Sequence, residues 1–356
     1  MTKVMVVGGG KIGAAIVELL SATGDYKVTL ADQDAEALKR IPPDQAETRR
    51  IEASDVAGLR DAIQGHDMVL SAAPYTLTPV IAEAARDAGA HYFDLTEDVE
   101  STRRVKELAQ GAKTAFVPQC GLAPGFISVV AYDLAKRFDR LDTVHMRVGA
   151  LPLYPSNALK YNLTWSTDGL INEYCNPCEA IHEGELREVL PLEGHEHISL
   201  DGIDYEAFNT SGGLGTLCET LDGKARELDY KTVRYPGHRD IVKLLVNDLR
   251  LSTRRHILKD VLETAIPMTL QDVVLIFVTV SGWKEGRLMQ ETYAKKVYNK
   301  TIGGKVWSAI QVTTASGICA MVDLMREGKL PQTGFVRQEE ANLDDLLANR
   351  FGKNYA

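Results

Sequence analysis

The six residues Gly8-Gly9-Gly10-Lys11-Ile12-Gly13 limit what this chain can fold into more than any other stretch of it. They form a G-x-G-x-x-G turn directly after the apolar run Lys3–Val7 and directly before Ile12–Ser21, which has helical spacing. Gly8 permits the tight turn, Gly10 lets a pyrophosphate approach the backbone, and Gly13 lets helix and strand pack closely. Lys11 and Ile12 open the helix, where exposed N–H groups and the positive end of the helix dipole favour phosphate. A second strand-like run, Lys27–Ala31, leads into Asp32, where an acidic side chain accepts hydrogen bonds from the adenosine ribose. A tight turn in some other α/β protein would account for the glycines but not for Asp32.

The same carboxylate repels a ribose 2′-phosphate, and the next residue is Gln33 rather than a phosphate-clamping arginine. NAD is therefore expected over NADP, although Arg40 lies further along. Asp55 is a candidate for the adenine amino group and equally a candidate helix N-cap.

Strand-like and helix-like segments go on alternating through Asp67–Ala72, Pro79–Ala88 and Thr114–Val117. This implies right-handed βαβ units on a mostly parallel sheet. The expected architecture is α/β, with a Rossmann dinucleotide-binding domain at residues 1–121. Past Gly121 strand-like stretches dominate: Thr143–Ala150, Gly202–Phe208, Glu227–Tyr235 and Asp272–Ser281. Residues 122–307 should form an inserted α+β substrate domain with a largely antiparallel sheet. Ser308–Arg326 reads as a helix closed by Gly328, so 308–356 should be a C-terminal return.

Composition narrows the function. The formal charge of −9 argues against nucleic acid or an anionic membrane as main partner. The apolar run Val273–Val280 is far too short to span a bilayer, and the first strand begins too early for a secretory signal. Five cysteines form no dense disulfide framework. A cytoplasmic enzyme acting on a small molecule is expected.

Four further segments carry a family likeness: Val69-Leu70-Ser71-Ala72-Ala73-Pro74-Tyr75, Tyr92-Phe93-Asp94-Leu95-Thr96-Glu97-Asp98, Cys120-Gly121-Leu122-Ala123-Pro124-Gly125, and Tyr230-Lys231-Thr232-Val233-Arg234-Tyr235-Pro236-Gly237-His238. In this order they resemble the saccharopine dehydrogenase (glutamate-forming) superfamily, and within it the compact bacterial lysine 6-dehydrogenases. The likeness runs from the N-terminus to about Glu339. It implies a catalytic and dimerising domain inserted after the G-L-x-P-G loop, a homodimer or higher homo-oligomer, and NAD(P)-linked chemistry at a carbon–nitrogen bond of lysine or a relative.

Ligands of an open α/β sheet bind beyond the carboxyl ends of its strands. Ala72, Ala73 and Pro74 are expected there at the cofactor, and Asp94, Glu97, Cys120 and Gly121 at the substrate. A lysine oxidase needs a carboxylate near the α-ammonium, a cation near the α-carboxylate and a proton acceptor near the ε-nitrogen. Glu97 is the first carboxylate, or else a helix cap, and Asp94 the second. Arg234 is the cation, or else part of a surface or interface ion pair. His238 is the acid/base, or else a structural histidine in a turn. Asn157, Lys160, Asn162 and Thr164 are polar residues entering the second domain. Cys120 is expected near the nicotinamide without a covalent role. Cys175, Cys178 and His182 have metal-like spacing but lack a second Cys pair, so no metal is expected.

The leading expectation is NAD-dependent oxidative deamination of L-lysine at the ε-amine. The alternative in the same fold is a saccharopine or carboxynorspermidine dehydrogenase-type reaction on a secondary amine. A non-catalytic dinucleotide sensor is the alternative of a different class.

Overall fold

A computed structural model describes residues 1–52 and 54–356 of the chain. The chain divides into two compact units, Met1–Phe126 with Gln311–Ala356, and Ile127–Ile310. The sequence placed these changes at 121/122 and 307/308. In the structure each falls in the first turns of a helix, Phe126–Ala135 and Ala309–Arg326.

The first unit is built on β1 (Thr2–Val7), β2 (Tyr26–Asp32), β3 (Glu47–Arg50), β4 (Met68–Ser71), β5 (His91–Asp94) and β6 (Ala115–Val117). With a return strand, Gly334–Phe335, they form a parallel sheet in the order return–β6–β5–β4–β1–β2–β3. This is the doubly wound order, whose switch point lies between β1 and β4. Val4 to Val7 are all buried, as expected for a central parallel strand covered on both faces. Burial of each such side chain contributes roughly 1.5–3 kcal/mol.

The C-terminal segment belongs to this unit through the Asp323 carboxylate, which is buried. It accepts hydrogen bonds from the Tyr26 hydroxyl at 2.6 Å, Asn349 Nδ2 at 2.9 Å and the guanidinium groups of Arg326 and Arg350. Those donors hold its pKa down at about 2 despite burial. Tyr355 stacks on Phe126 with ring centroids 3.7 Å apart.

The second unit carries β7 (Arg140–Pro152), β8 (Cys178–His182), β9 (Glu185–Val189), β10 (Glu196–Leu200), β11 (Ile203–Asn209), β12 (Glu227–Arg234), β13 (Asp272–Lys284) and β14 (Arg287–Tyr298). The main path is β10–β11–β12–β7–β13–β14, with the β8–β9 hairpin attached to β12. Only the β12–β7 pair is parallel among the described pairings, so the sheet is largely antiparallel as expected. Helices Thr167–Cys175, His238–Lys243 and Arg255–Ala265 bury an apolar cluster that includes Tyr161, Tyr174, Phe208 and Leu258. Among the described residues no helix is long and apolar enough to cross a membrane.

The glycine turn sets the closest approach in the first unit. A Cβ added at Gly13 would lie 1.8 Å from the Gly8 carbonyl oxygen. Gly8 has φ +108°, and its Cβ would lie 2.6 Å from the Ala72 carbonyl oxygen. Gly13→Ala is therefore expected to force helix Lys11–Ser21 away from the turn. The loss should reach at least the roughly 1–3 kcal/mol typical of overpacking, together with weakened dinucleotide binding. A thermal melt and a nucleotide titration of the variant check this; an unshifted melt would mean that the helix yields without cost.

Candidate functional site

The glycine turn forms a cradle at the carboxyl end of β1. Helix Lys11–Ser21 starts after Gly10 with no side-chain cap, which leaves its first turn to be capped by a ligand. A Cβ at Gly10 would meet no atom within 4 Å, so the approach to that turn is open. Ala72 donates its N–H to the Val7 carbonyl at 2.8 Å, which lays Ala72-Ala73 against Gly8. Pro74 beyond them is exposed. Asp32 ends β2 half-buried, accepting the N–H of Gly9 and, at 2.7 Å, that of Asp34. A carboxylate has about four acceptor directions, so two backbone donors leave capacity for ribose hydroxyls. These residues fit a dinucleotide. Asp55 caps helix Val56–Ile63 by accepting the Gly58 N–H at 3.1 Å. In register with Asp32 on β3 stands Arg50, whose Nε donates to the Gln33 carbonyl at 3.1 Å.

At the ends of β5 and β6 the expected substrate residues separate. Asp94 is 1 % exposed, and its Oδ1 accepts the N–H groups of Thr96 at 3.0 Å and Gln119 at 2.8 Å. It ties two strand ends together, and burial lifts its pKa to about 6 against those donors. Cys120 is fully buried; its thiol donates to the Val117 carbonyl at 3.0 Å and receives Gln338 Nε2 at 3.3 Å. Burial pushes its pKa well up, so the thiol stays protonated. Gly121 accepts the Phe126 N–H at 2.9 Å and lies under Gly317 of the return helix. Glu97 differs from all three. It is half-buried, and burial, reinforced by Asp98 and Asp94, raises its pKa to about 7. The cap of helix Val99–Leu108 is Asp98, which accepts the Ser101 N–H at 2.8 Å. Glu97 is thereby not needed as a cap.

In the second unit, Arg234 ends β12 at 3 % exposure. Its Nε donates to the Tyr174 hydroxyl at 3.0 Å and its Nη1 to the Val233 carbonyl at 2.9 Å. The guanidinium carbon lies 5.0 Å from the Tyr161 ring centroid and 5.9 Å from that of Tyr174. The two tyrosines and Glu173 favour its charge, but among the described residues no carboxylate comes within ion-pair distance of it. Arg147 and Lys231, by contrast, are neutralised by Glu196 and Asp229 on strands of the same sheet.

The turn Tyr235-Pro236-Gly237-His238 delivers the histidine. His238 N–H returns to the Tyr235 carbonyl at 3.2 Å, and Gly237 takes φ +96°, as the third position of a type II turn requires. The Glu206 carboxylate fixes the turn by accepting the N–H groups of Gly237 at 3.0 Å and Arg239 at 2.6 Å. His238 is 1 % exposed, with Nδ1 2.9 Å from the Leu159 carbonyl and Nε2 2.9 Å from the Tyr174 hydroxyl. Burial and the Arg234 charge push its pKa down to about 3.

Residues 4–117 match the family model for the saccharopine dehydrogenase NADP binding domain, and residues 121–353 match that for the saccharopine dehydrogenase C-terminal domain. The chain belongs to the saccharopine dehydrogenase family. The mitochondrial alpha-aminoadipic semialdehyde synthase of Rattus norvegicus is 22% identical over 66% of this chain and 27% of its own length. The saccharopine dehydrogenase [NADP(+), L-glutamate-forming] of Pyricularia oryzae is 22% identical over 68% of this chain and 57% of its own. The chain thus spans between about a quarter and somewhat over half of these curated relatives. Apo saccharopine dehydrogenase (L-Glu forming) from Saccharomyces cerevisiae shares the fold at TM-score 0.76 and 17% identity, covering 97% of this chain and 96% of that one. A homospermidine synthase from Legionella pneumophila, solved with NAD, has TM-score 0.68 at 14% identity, covering 99% of this chain and 89% of that one.

Set against this saccharopine dehydrogenase framework, several expectations change. Asp94, Cys120 and Gly121 are enclosed and each is held by neighbouring backbone, so none of them lines an open cleft, contrary to expectation. His238 is a neutral buried histidine rather than an acid/base, because both ring nitrogens are occupied and a cation lies beside it. Lys160 donates to the Pro236 carbonyl at 2.8 Å, and Asn157 holds the Tyr161 carbonyl at 2.7 Å, so both shape the loop around His238. Cys178 is buried and His182 pairs with Glu227, and no metal-binding group of three or more His, Cys, Asp or Glu occurs among the described residues. Tyr161 and Tyr174 were missed: tyrosines spaced far from Arg234 in the chain give no local signal. The ring nitrogens of His238 should show the neutral Nδ1–H form from pH 8 down to about pH 4 in ¹H–¹⁵N correlation spectra. Titration near 6.5 would restore the acid/base reading.

Proposed function

We propose that this chain is a nicotinamide-dependent oxidoreductase acting at a carbon–nitrogen bond of an amino acid, and that L-lysine, deaminated at its ε-amine, is the substrate to test first. The observation that carries the reading is Arg234, a desolvated guanidinium with no carboxylate within ion-pair distance among the described residues. A buried cation with no carboxylate in ion-pair contact is costly, even with Glu173 favouring its charge, and a substrate carboxylate would relieve that cost. The glycine turn and Asp32 would hold the nucleotide, which supplies a hydride acceptor when bound.

The chain's own residues divide the remaining work. Arg234 holds the substrate α-carboxylate. Glu97, with a pKa near 7, exists in both protonation states at neutral pH and takes the proton that an ε-ammonium must lose. Asp32 favours NAD, whereas the matched family model and the Pyricularia oryzae relative are named for NADP, and Arg50 in register with Asp32 is the cation suited to a 2′-phosphate. The secondary-amine reaction is the second reading. It is favoured by the saccharopine dehydrogenases among the relatives and by the homospermidine synthase likeness in fold.

A panel of lysine, ornithine, saccharopine and diaminopimelate with NAD and with NADP at alkaline pH separates these readings. Lysine labelled with ¹⁵N at the ε position should release labelled ammonia and yield the cyclic imine. Unlabelled ammonia would move the chemistry to the α-carbon, and turnover of saccharopine alone would establish the secondary-amine reaction. Kinetics of Arg234→Ala form a separate check. Losing one partner of a buried charge pair costs about 2–5 kcal/mol, so KM for the amino acid should rise at least 30-fold, roughly the lower bound of that range. An unchanged KM would assign Arg234 to structure alone.

A further inference from the structure

We propose that Tyr174 and His238 are positioning residues that hold Arg234 in one charged, oriented form, so that the second unit selects ligands by a planar carboxylate. The inference rests on the carboxylate-binding role given to Arg234 above. The hydrogen-bond chemistry leaves one arrangement. A guanidinium only donates, so the Tyr174 oxygen must accept from Arg234 Nε at 3.0 Å. The single tyrosine proton is then available to His238 Nε2, 2.9 Å away, which must be the unprotonated ring nitrogen. The imidazole proton accordingly lies on Nδ1 and goes to the Leu159 carbonyl, which only accepts, at 2.9 Å. The chain runs in one direction from Arg234 to the backbone of the loop before Tyr161.

A protonated His238 would break this order. Its Nε2–H would point at a hydroxyl already receiving Arg234, the tyrosine proton would lose its acceptor, and two cations would share one enclosed cluster. The groups facing the imidazole are Arg234, Tyr161, Tyr174 and Phe208. None of them is an anion that would favour a charged ring, and burial disfavours it further. Arg234 itself has Nε and Nη1 assigned, to Tyr174 and to Val233, while Nη2 donates to no described residue. The guanidinium therefore retains donor capacity along the edge that the tyrosine and the backbone do not use. A single planar anion matches that edge, because a carboxylate can accept parallel N–H groups.

The relay makes predictions that a packing role alone would not. Tyr174→Phe keeps the ring and removes the hydroxyl. Its KM for a carboxylate-bearing amine should rise roughly 10–100-fold, the usual effect of losing a hydrogen bond to a charged group, while kcat falls far less. KM for 1,5-diaminopentane, which has no carboxylate, should stay within about twofold of its wild-type value. His238→Gln can keep an acceptor near Nε2 and should retain most of the affinity, whereas His238→Leu should resemble Tyr174→Phe. Calorimetric titration of the full chain with 5-aminopentanoate and 1,5-diaminopentane gives the same contrast without turnover. If carboxylate binding weakens in Tyr174→Phe but no amine in the panel is oxidised, the proposed reaction fails and the relay stands. Equal losses for ligands with and without a carboxylate, or a collapse of kcat in His238→Gln at unchanged KM, would overturn the relay.

Discussion

The contact between Gly13 and the Gly8 carbonyl governs the first unit. Because a helix backbone lies against a strand terminus with no room for a methyl group, β1 ends and the helix begins within one turn. The neighbouring strands end level with it: Val7 pairs with Ala31 on one side and Ser71 on the other. Asp32 is therefore brought against the Gly9 N–H, and Ala72-Ala73 against Gly8, by register rather than by any special contact of their own. The polar groups of the cradle inherit their positions from a packing constraint.

Burial acts in opposite directions on the two groups named at first for proton transfer. It favours the neutral form of each, so it raises the carboxyl of Glu97 and lowers the imidazole of His238. The carboxylate thereby moves toward neutrality on the pH scale and the histidine leaves it. The ordinary solution value of a histidine, which recommends it as a catalyst, is no guide inside an aromatic cluster beside a guanidinium.

Much of the fold was legible because it rests on local patterns. The glycine turn, the alternating segments up to Val117, and the β-branched runs of β7, β12 and β13 all carry their periodicity in a few residues. The strands that were missed carry little of it. Glu47–Arg50 is wholly exposed, Glu185–Val189 nearly so, and Arg287–Tyr298 is an edge strand with only one fully buried residue. For the last of these the Glu285-Gly286 turn, with both residues at positive φ, was the available signal of a two-residue hairpin. Arg234 and Glu97 could be named from motifs, but what surrounds them could not. Arg234 meets Tyr174 from 60 positions away, and Asp94 meets Gln119 from 25. Which carboxylate is enclosed and which is left half-open is decided by such long-range pairings.

The route of the chain has a consequence for how the protein is made. The second unit is one continuous stretch, whereas the first needs residues from both ends: the return strand Gly334–Phe335 beside β6, and Asn349 and Arg350 on Asp323. During synthesis the nucleotide-binding unit stays unfinished, with the edge of β6 uncovered, until the return strand has been made. The inserted unit has all its strands much earlier and is free to fold first. Completion of the cradle's unit is therefore tied to synthesis of residues 334–350, and a chain cut short before them would display an unpaired strand edge open to association with other chains.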